Sequence, residues 1–521
     1  MKRLTRFVCV LAFSGFVAAQ EPAPERAKLS KAESPARPNV VLILADDMSP
    51  GDVQVLGGAS SKIPTPHLDR LAQEGLRCTD AHSPSAVCTP TRYGLLTGRY
   101  AWRTPLQESV LFGFDPPLIP AERKTLGGLF HQHGYRTACI GKWHLGWTWM
   151  KGQGQPLLDP REALLIDWSL PTPDGPTTRG FDEFFGIHGT LDMAPFTYVE
   201  GNRATKPCTV IKRFGRSGPA AEDFEAELVL DQLLARSTRF LEERAKAKEQ
   251  PFFLLASLTS PHTPIVPARR FRGKSGLGLY GDFVLETDAW VGALLAKLAE
   301  LELAEDTLVI FTADNGTSPS ANLPALRSRG HDPIGGWRGF KADLYEGGHR
   351  VPFLARWPGV IEAGRSSDAL LCLTDFVATF AELFGAELSP DLGEDSRSFL
   401  SVLRGTSEKS AREDLVMHSF DGSFAIREGR WKLLLCAGSG GWSEPEPGTS
   451  EEARLPPRQL FDLVADPREQ KNLATEQPEI VARLEALLAA HVKRGRSTPG
   501  PERANDVAVE TAPPREKPRA K

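Results

Sequence analysis

Four apolar runs along the chain each end in polar side chains that could bind a ligand or catalyse a reaction. They are VVLIL at 40–44, TACI at 137–140, FFLL at 252–255 and LVIF at 308–311. Amphipathic helical patterns occur between and beside them, at 226–245 and 282–301. This alternation is typical of buried parallel strands in an α/β fold. Because ligands bind beyond the carboxyl ends of such strands, we expect the polar residues to lie together.

The polar residues that follow the runs differ in chemistry from one strand end to the next. In chain order they are Asp46 and Asp47, Lys142 and His144, His262, and Asp314 with Asn315. The acids and the amide supply hard oxygen ligands, which suit Ca²⁺ or Mg²⁺ better than zinc. An alternative is that the acids cap a segment or form a turn. Neighbouring carboxylates repel unless a cation neutralises them, so the grouping at two strand ends favours a metal site.

The C-terminal third predicts a smaller α+β subdomain. Residues 388–410, rich in Pro, Gly, Ser and acids, predict a linker between a catalytic domain at 39–387 and a subdomain at 411–496. The predicted elements of the subdomain are strands at 414–420, 425–435 and 460–463, the second with a possible hairpin turn, and a helix after Pro478. The Pro-rich, charged residues 497–521 predict a disordered tail.

The N-terminus predicts export. Lys2 and Arg3 precede an apolar run at 7–16 and small residues at 17–19, which together are typical of a signal peptide at 1–19. A flexible leader at 20–38 would follow, so we expect a secreted or periplasmic protein. No apolar run is long enough to span a membrane. The net charge of −4 argues against a nucleic-acid partner, and the cysteines lack the spacing of a disulfide scaffold.

The stretch CTPTR at 88–92 carries the most specific chemistry. Pro90 can begin a helix, which would place Cys88 near the positive end of the helix dipole and Arg92 one turn on, where an anion could dock. Alone, Cys88 could equally be a small buried hydrophobic residue. The longer stretch CTPTRYGLLTG, at 88–98, resembles the signature of the type I sulfatases. In that family a separate maturing enzyme oxidises the cysteine to formylglycine.

Further stretches carry the same resemblance, which covers about 39–474. They are GKWHLG at 141–146, GFDEFFG at 180–186, SPHTP at 260–264, GFKADLYEGG at 339–348 and LFDLVADPREQKNLA at 460–474. The resemblance implies an alkaline phosphatase-like α/β fold. Its large, mixed and mostly parallel sheet is sandwiched by helices, and a smaller C-terminal subdomain has antiparallel strands and one helix.

The resemblance also implies roles for the site residues. One divalent cation, usually Ca²⁺, would be held by Asp46, Asp47, Asp314 and Asn315, with the modified Cys88 beside it as a further ligand. One hydroxyl of the hydrated aldehyde attacks sulfur and the alcohol leaves; the second hydroxyl then loses its proton and expels sulfate. Arg92 would hold the hydrate, with His144 as base, His262 as acid, and Lys142 and Lys341 on the sulfate. His188, just after GFDEFFG, is predicted to reach the substrate.

The sequence therefore predicts a sulfatase that acts on a sulfated carbohydrate or small molecule. One alternative is a phosphonate or phosphodiester hydrolase, because relatives on the same fold share C-x-P-x-R and the metal site. Another is a protein that binds sulfated glycans with Cys88 unmodified. The loops with Trp147, Trp149, Trp168 and His331 could form a sugar-binding wall or simply pack among themselves.

Overall fold

A ten-stranded mixed sheet is the centre of the computed structural model, which describes Met1 and residues 37–511. The strands in chain order are β1 (Asn39–Ala45), β2 (Leu76–Cys78), β3 (Ala81–His82), β4 (Arg136–Lys142), β5 (Met150–Lys151), β6 (Gln155–Pro156), β7 (Glu183–Ile187), β8 (Val199–Glu200), β9 (Arg203–Ala204), β10 (Val210–Phe214), β11 (Arg216–Ala220), β12 (Phe252–Ser257), β13 (Thr307–Ala313), β14 (Phe353–Arg356), β15 (Arg365–Ser367), β16 (Leu371–Cys372), β17 (Asp414–His418), β18 (Phe424–Glu428), β19 (Trp431–Leu434) and β20 (Gln459–Asp462).

The sheet has the order β15-β2-β14-β13-β1-β12-β4-β7-β8-β9. Its five central strands, from β13 to β7, are parallel, and antiparallel pairs occur towards both edges. In the central register Leu42 lies opposite Leu255 on one side and Ile310 on the other. All three side chains are buried, because helices cover both faces of the sheet. The four predicted strands and the mostly parallel sheet are confirmed.

The α-helices are α1 (Gln54–Gly57), α2 (Pro66–Gln73), α3 (Cys88–Thr97), α4 (Leu126–Gln132), α5 (Val229–Ala245), α6 (Leu279–Glu300), α7 (Leu323–Ser328), α8 (Glu346–His349), α9 (Phe376–Leu383), α10 (Leu400–Arg404) and α11 (Pro478–Arg494). Two packed groups form the helical layers: α2, α5 and α6 in one, and α3, α4 and α9 in the other. Among the described residues no helix is both long and apolar enough to cross a membrane.

A four-stranded antiparallel sheet, β17-β18-β19-β20, follows in the C-terminal part, and α11 packs against it. Buried Leu484 and Leu488 of α11 share an apolar cluster with Val416 and Ile426 of the sheet. The predicted antiparallel strands and single helix are therefore confirmed. The division into domains at 39–387 and 411–496 stays a prediction. Apart from Met1, the predicted signal peptide falls outside the described residues, as does almost all of the leader.

The prediction of a linker at 388–410 is wrong, because this segment is packed into the body of the protein. It contains α10, and Asp395 within it is fully buried. The Asp395 carboxylate accepts hydrogen bonds from the Arg103 guanidinium at 2.9 and 2.8 Å and from the Tyr100 N–H at 2.9 Å. These partners lie almost 300 residues away in the chain, so composition alone gave no sign of them.

The prediction of a disordered tail is also wrong for residues 497–511. The Asp506 carboxylate accepts hydrogen bonds from both terminal nitrogens of Arg99, each at 3.0 Å. The Asn505 side chain accepts another from Arg103 at 2.9 Å. Charged residues that suggest a solvated tail therefore pair with buried arginines just after α3. Residues 512–521 fall outside the described part of the chain.

Candidate active site

The carboxyl ends of the five parallel strands converge on one side of the sheet and carry the predicted residues. Asp46 and Asp47 follow β1, Lys142 ends β4, and Asp314 and Asn315 follow β13. His262 lies beyond β12, and His188 lies directly after β7. The prediction that these strand ends share one site agrees with the fold, since all five strands run in the same direction.

Cys88 is the first residue of α3 and lies inside this group of polar side chains. Its Sγ is 3.6 Å from Asp46 Oδ1, 4.0 Å from Asp47 Oδ1 and 3.6 Å from Lys341 Nζ. Burial raises the pKa of the Cys88 thiol, and the charge on Asp314 raises it further. An unmodified Cys88 is therefore held as the neutral thiol, which is a poor nucleophile.

Lysines pair with the two acids after β1. Lys142 Nζ lies 2.8 Å from both oxygens of Asp46, and Lys341 Nζ lies 2.6 and 2.8 Å from those of Asp47. Burial opposes ionisation of Asp46, but the charge of Lys142 and its neighbours holds the pKa well below the usual range. Asp46 is therefore a carboxylate, and a buried one.

Arg92 is fixed by three partners. Its Nε and Nη2 donate to Asp314 Oδ2 at 3.0 and 2.7 Å, and Nη1 donates to Ser257 Oγ at 2.6 Å and to Lys142 O at 3.2 Å. Arg92 thus orients Asp314 and ties the ends of β4 and β12 together. Ser257 is a supporting residue that the sequence reasoning missed, since a serine at a strand end carries no signal of its own.

The residues at the site fit an oxygen-liganded cation. Donor atoms of Asp46, Asp47, Cys88 and His262 all lie within 4.8 Å of one another, and all four residues are buried. Asn315 donates through Nδ2 to Asp47 Oδ1 at 2.7 Å, and this orientation leaves the Asn315 Oδ1 atom without a donor. That buried oxygen has no hydrogen-bond partner among the described residues. Buried carboxylates together with an unused amide oxygen are the donor set that a hard divalent cation prefers.

The two histidines expected to move protons have different surroundings. His144 is buried and its Nε2 lies 2.9 Å from Leu111 O, so Nε2 carries the proton. Its Nδ1 has no partner within residues 37–511. Burial, with the charges of Lys142 and Arg92, lowers the pKa of His144 well below the usual range, which keeps the ring neutral. His262 is slightly more open, with Nε2 3.7 Å from Asp47 Oδ2.

His188 contributes to the site through its backbone. Its carbonyl accepts a hydrogen bond from the His144 N–H at 2.8 Å. The ring is buried, edge-on to Trp149 with 5.6 Å between centroids, and burial lowers the pKa of His188 to about 3. The geometry makes His188 a support for His144, and its contact with substrate stays a prediction.

Backbone strain is concentrated at the site. Asp47, His144 and Ala342 have φ values of 63°, 58° and 83°. Such conformations cost roughly 1–3 kcal/mol each and persist only where neighbouring contacts fix them. At Ala342, next to Lys341, the N–H donates to Ala86 O at 2.9 Å and the carbonyl accepts from Phe420 N at 3.1 Å. The Lys341 loop is thereby tied to the segment just before Cys88.

A buried hydrogen-bond network centred on Asp52 supports the loop after β1. Asp52 Oδ2 accepts from the Tyr280 hydroxyl at 2.6 Å and the Thr317 hydroxyl at 3.0 Å, and His331 Nε2 lies 3.1 Å from Oδ1. His331 therefore packs inside the protein. Trp147 and Trp149 are also buried, so for these three residues the interpretation as packed loops is the correct one.

Comparisons with known proteins agree with this geometry. A family model described as Sulfatase matches residues 38–386, and one described as N-sulphoglucosamine sulphohydrolase, C-terminal, matches residues 335–439. The chain is 31% identical to the N-acetylgalactosamine-6-O-sulfatase of Bacteroides thetaiotaomicron, over 89% of this chain and 95% of that protein. It is 34% identical to arylsulfatase A of Homo sapiens, over 86% and 87% of the two chains.

Structural similarity gives the same result. A solved structure from work on the metabolism of multiple glycosaminoglycans by Bacteroides thetaiotaomicron has a TM-score of 0.74 and 30% sequence identity to this chain. It covers 87% of this chain, and the match includes 99% of the solved chain. The chain belongs to the type I sulfatase family, with its alkaline phosphatase-like fold, and is a sulfuric ester hydrolase.

Proposed function

We propose that the enzyme removes sulfate from esters on a carbohydrate, using a formylglycine made from Cys88 and one divalent cation, Ca²⁺ or alternatively Mg²⁺. The observation that carries this proposal is the position of Cys88 at the start of α3, with Sγ 3.6 Å from both Asp46 Oδ1 and Lys341 Nζ. The carbohydrate is supported by a relative named as an N-acetylgalactosamine-6-O-sulfatase.

Asp46, Asp47, Asp314 and Asn315 would hold the cation through oxygen atoms. When formed, the formylglycine supplies the attacking hydroxyl group, and the bound cation supplies positive charge near the sulfate oxygens. Lys142 and Lys341 bring two further positive charges into the same buried region. Their role is to bind the non-bridging oxygens. Fixed charges of this kind lower the activation barrier, by about 3 kcal/mol for a typical donor.

Protons would pass through the two histidines. His144 accepts a proton at Nδ1, because Nε2 already donates to Leu111 O, and burial together with the surrounding cations keeps the ring neutral. His262 lies at the more open side of the cluster and donates from Nε2 to the leaving oxygen when both of its ring nitrogens carry protons, because Nδ1 already donates to Thr263 O at 2.5 Å. Arg92 positions Asp314, and Ser257 positions Arg92.

The N-terminal 1–19 segment would direct export, so the enzyme would act outside the cytoplasm, in the periplasm or the medium. A positively charged start, a short apolar run and small residues are the features that a signal peptidase requires. A formylglycine-generating or other sulfatase-maturing enzyme would act on Cys88. Sequencing of the exported protein should find its first residue near Gln20.

Release of inorganic sulfate from sulfated sugars tests the proposal directly. The purified protein should release sulfate from a sulfated hexosamine, and the Cys88→Ala variant should release none. A phosphonate monoester assayed in parallel distinguishes sulfate-ester hydrolysis from the alternative, phosphonate hydrolysis. Cleavage of the phosphonate without any sulfate release would show that the assignment of substrate is wrong, as would tight binding of sulfated glycan without turnover.

A further inference from the structure

A basic segment lies beside the site and has no part in the chemistry described so far. Residues 201–221 contain five basic residues and no acid, although the whole chain has 66 acidic and 62 basic residues. The five are Arg203, Lys206, Lys212, Arg213 and Arg216. Positive charge is therefore locally concentrated in a chain that is slightly acidic overall.

Much of this segment forms a β-hairpin whose tip carries two arginines. β10 and β11 pair antiparallel, with Phe214 opposite Arg216 and a turn at Gly215, where φ is 91°. The hairpin is anchored near its base, where the Phe196 N–H donates to Pro219 O at 2.8 Å. It is also anchored beside its tip, where the Phe214 ring meets the Phe196 ring edge-on at 5.0 Å. The tip is thus a fixed feature of the surface.

Neighbouring acids neutralise only part of this charge, and an exposed pair such as Arg216–Asp192 is weak enough for Arg216 to exchange it for a bound anion. Asp192, Asp223 and Glu225 pair with Arg216, Lys206 and Lys212 at the surface. Arg213 has no carboxylate partner in the part of the chain that the structure describes, and its Nε donates to Gly215 O at 3.2 Å. A positive charge therefore remains available at the tip.

The hairpin tip reaches the catalytic groups through Phe112. The Arg216 guanidinium lies 5.6 Å from the centroid of the Phe112 ring, and this ring is 48% exposed. Phe112 directly follows Leu111, whose carbonyl lies 2.9 Å from His144 Nε2 and whose N–H donates to Thr89 Oγ1 at 3.2 Å. Thr89 is the residue after Cys88, and consecutive Cα atoms are about 3.8 Å apart. Phe112 therefore stands at the edge of the site.

An exposed aromatic ring beside arginines suits an anionic sugar. The ring can pack against the C–H face of a sugar, and a guanidinium binds a carboxylate or sulfate through two parallel hydrogen bonds. We propose that Phe112 and Arg216 form a subsite for an anionic sugar unit linked to the unit that carries the scissile sulfate, and that Arg213, which bends over the turn to Gly215 O, adds positive charge at the same tip. The substrate is then a polyanionic carbohydrate. This inference rests on the proposed function.

The test compares two substrates, an oligosaccharide of alternating uronic acid and sulfated hexosamine, and the sulfated hexosamine alone. In the Arg213→Gln/Arg216→Gln double variant, the ratio of kcat/KM for the oligosaccharide to that for the monosaccharide should fall about 10- to 100-fold, mainly through KM. The fall should shrink as salt is added, because exposed charges are screened. Arg70→Gln, which changes an exposed arginine on α2 with a 71% exposed side chain, should leave the ratio unaltered.

Binding separates failure of this subsite from failure of the proposed function. The Kd of the oligosaccharide for Cys88→Ala protein should rise about 10- to 100-fold when the two arginines are also changed, whether or not the enzyme turns the sugar over. An unchanged Kd, or an unchanged kcat/KM ratio, overturns the subsite. Absence of sulfate release from both sugars, with the Kd difference intact, overturns the proposed reaction and leaves the subsite standing.

Discussion

Two buried clusters of charged side chains lie in this protein and are built from nearly the same chemical groups. The active-site cluster contains Asp46, Asp47, Cys88, Arg92, Lys142, His144, Asp314 and Lys341. The junction cluster contains Asp80, His82, Glu346, His349, Arg350, Arg427, Lys432 and Glu469. It joins α8 and the segment around β3 to the C-terminal sheet, and only Asp80 and Arg427 are partly exposed, at 13% and 12% of their side chains. Each has three acids and three permanent cations, so the number of charges does not distinguish them.

The difference lies in how completely the groups are paired. In the junction cluster Lys432 Nζ lies 2.9 Å from Glu346 and 2.8 Å from Glu469, and Arg350 Nη2 lies 2.7 Å from Glu346. His82 and His349 contact each other through Nδ1 at 3.0 Å. His82, Glu346 and His349 could together ligate a metal, but the Lys432 ammonium already lies 3.0 Å from His349 Nε2. This cluster holds α8 and the segment around β3 against the C-terminal sheet.

In the active-site cluster some acceptors remain unused. His144 Nδ1 and the neighbouring Asn315 Oδ1 have no hydrogen-bond partner among the described residues, and His144 and Asp47 have strained backbones. Both clusters pair their charged groups, and even Glu469 Oε1, which lacks a hydrogen bond, lies 2.8 Å from Lys432 Nζ. The active site differs in leaving a neutral histidine nitrogen and an amide oxygen free for a ligand. The four predictions below test that contrast, from the largest expected effect to the smallest.

Cys88→Ala should reduce turnover by about 10⁴-fold or more, as loss of a nucleophile does in other enzymes, with little change in the free energy of unfolding. Cys139→Ala is the matched control, because Cys139 is equally buried but lies within β4. It should keep kcat and cost roughly 1 kcal/mol of stability. Steady-state kinetics and thermal unfolding measure both effects. Residual activity of Cys88→Ala close to that of the wild type would remove Cys88 from the mechanism.

Asp314→Asn should lose bound cation and activity together, with kcat/KM lower by about 10²- to 10³-fold. The reason is that the carboxylate, held by Arg92 at 3.0 and 2.7 Å, is one of the oxygen ligands. Asp288→Asn alters another buried acid, on α6, and should retain the metal. The bound metal is measured by elemental analysis and the activity by kinetics, each before and after chelation. Full activity in protein stripped of metal would exclude the metal assignment.

Lys432→Met should lower the free energy of unfolding by about 3–5 kcal/mol, since it leaves Glu346 and Glu469 buried without their ammonium partner. The KM of the folded protein should change little. Lys297→Met is the control, because Lys297 pairs with Glu242 and Glu300 at the surface and should contribute less than about 1 kcal/mol. Equal losses in the two variants, read from urea unfolding, would show that the junction cluster is not a structural clamp.

Stability should depend on pH through the junction histidines. Burial lowers the pKa of both His82 and His349, so the unfolded chain binds protons below about pH 6.5 that the folded protein does not. Their contribution is present above pH 6.5 and is lost as the pH falls, by up to about 1.4 kcal/mol per pH unit for each histidine. His349→Gln should lose less stability than the wild type between pH 6.5 and 5 in urea unfolding. If the free energy of unfolding fell equally with pH in the variant and the wild type, His349 would not be a source of the pH dependence.

The sequence predicts the central strands and the members of the site because both leave local signals. β1 and β13 are uninterrupted apolar runs, and the residues that follow them are polar and chemically distinctive. The strand ends meet because parallel strands share an edge, so Asp47 and Asn315 come together across 268 residues of sequence. Their individual roles stay predictions, since proximity does not identify a proton donor.

The sequence does not predict which charged residues are buried, because their partners lie far away in the chain. Lys432 looks like an ordinary polar position in a strand, and only the fold shows that it is fully buried between two glutamates. Asp395 and Asp506 look solvated for the same reason, yet both pair with arginines that follow α3. Buried ion pairs between distant segments carry no local pattern, so a search for motifs misses them.

The most direct test of the central claim is the mass of tryptic peptide 78–92 from enzyme purified from its own organism. The peptide contains Cys78 and Cys88, so Cys78 serves as an internal control for unmodified cysteine. The account predicts that residue 88 has the mass of formylglycine and that Cys78 is unchanged. An active enzyme with unmodified cysteine at both positions would contradict it.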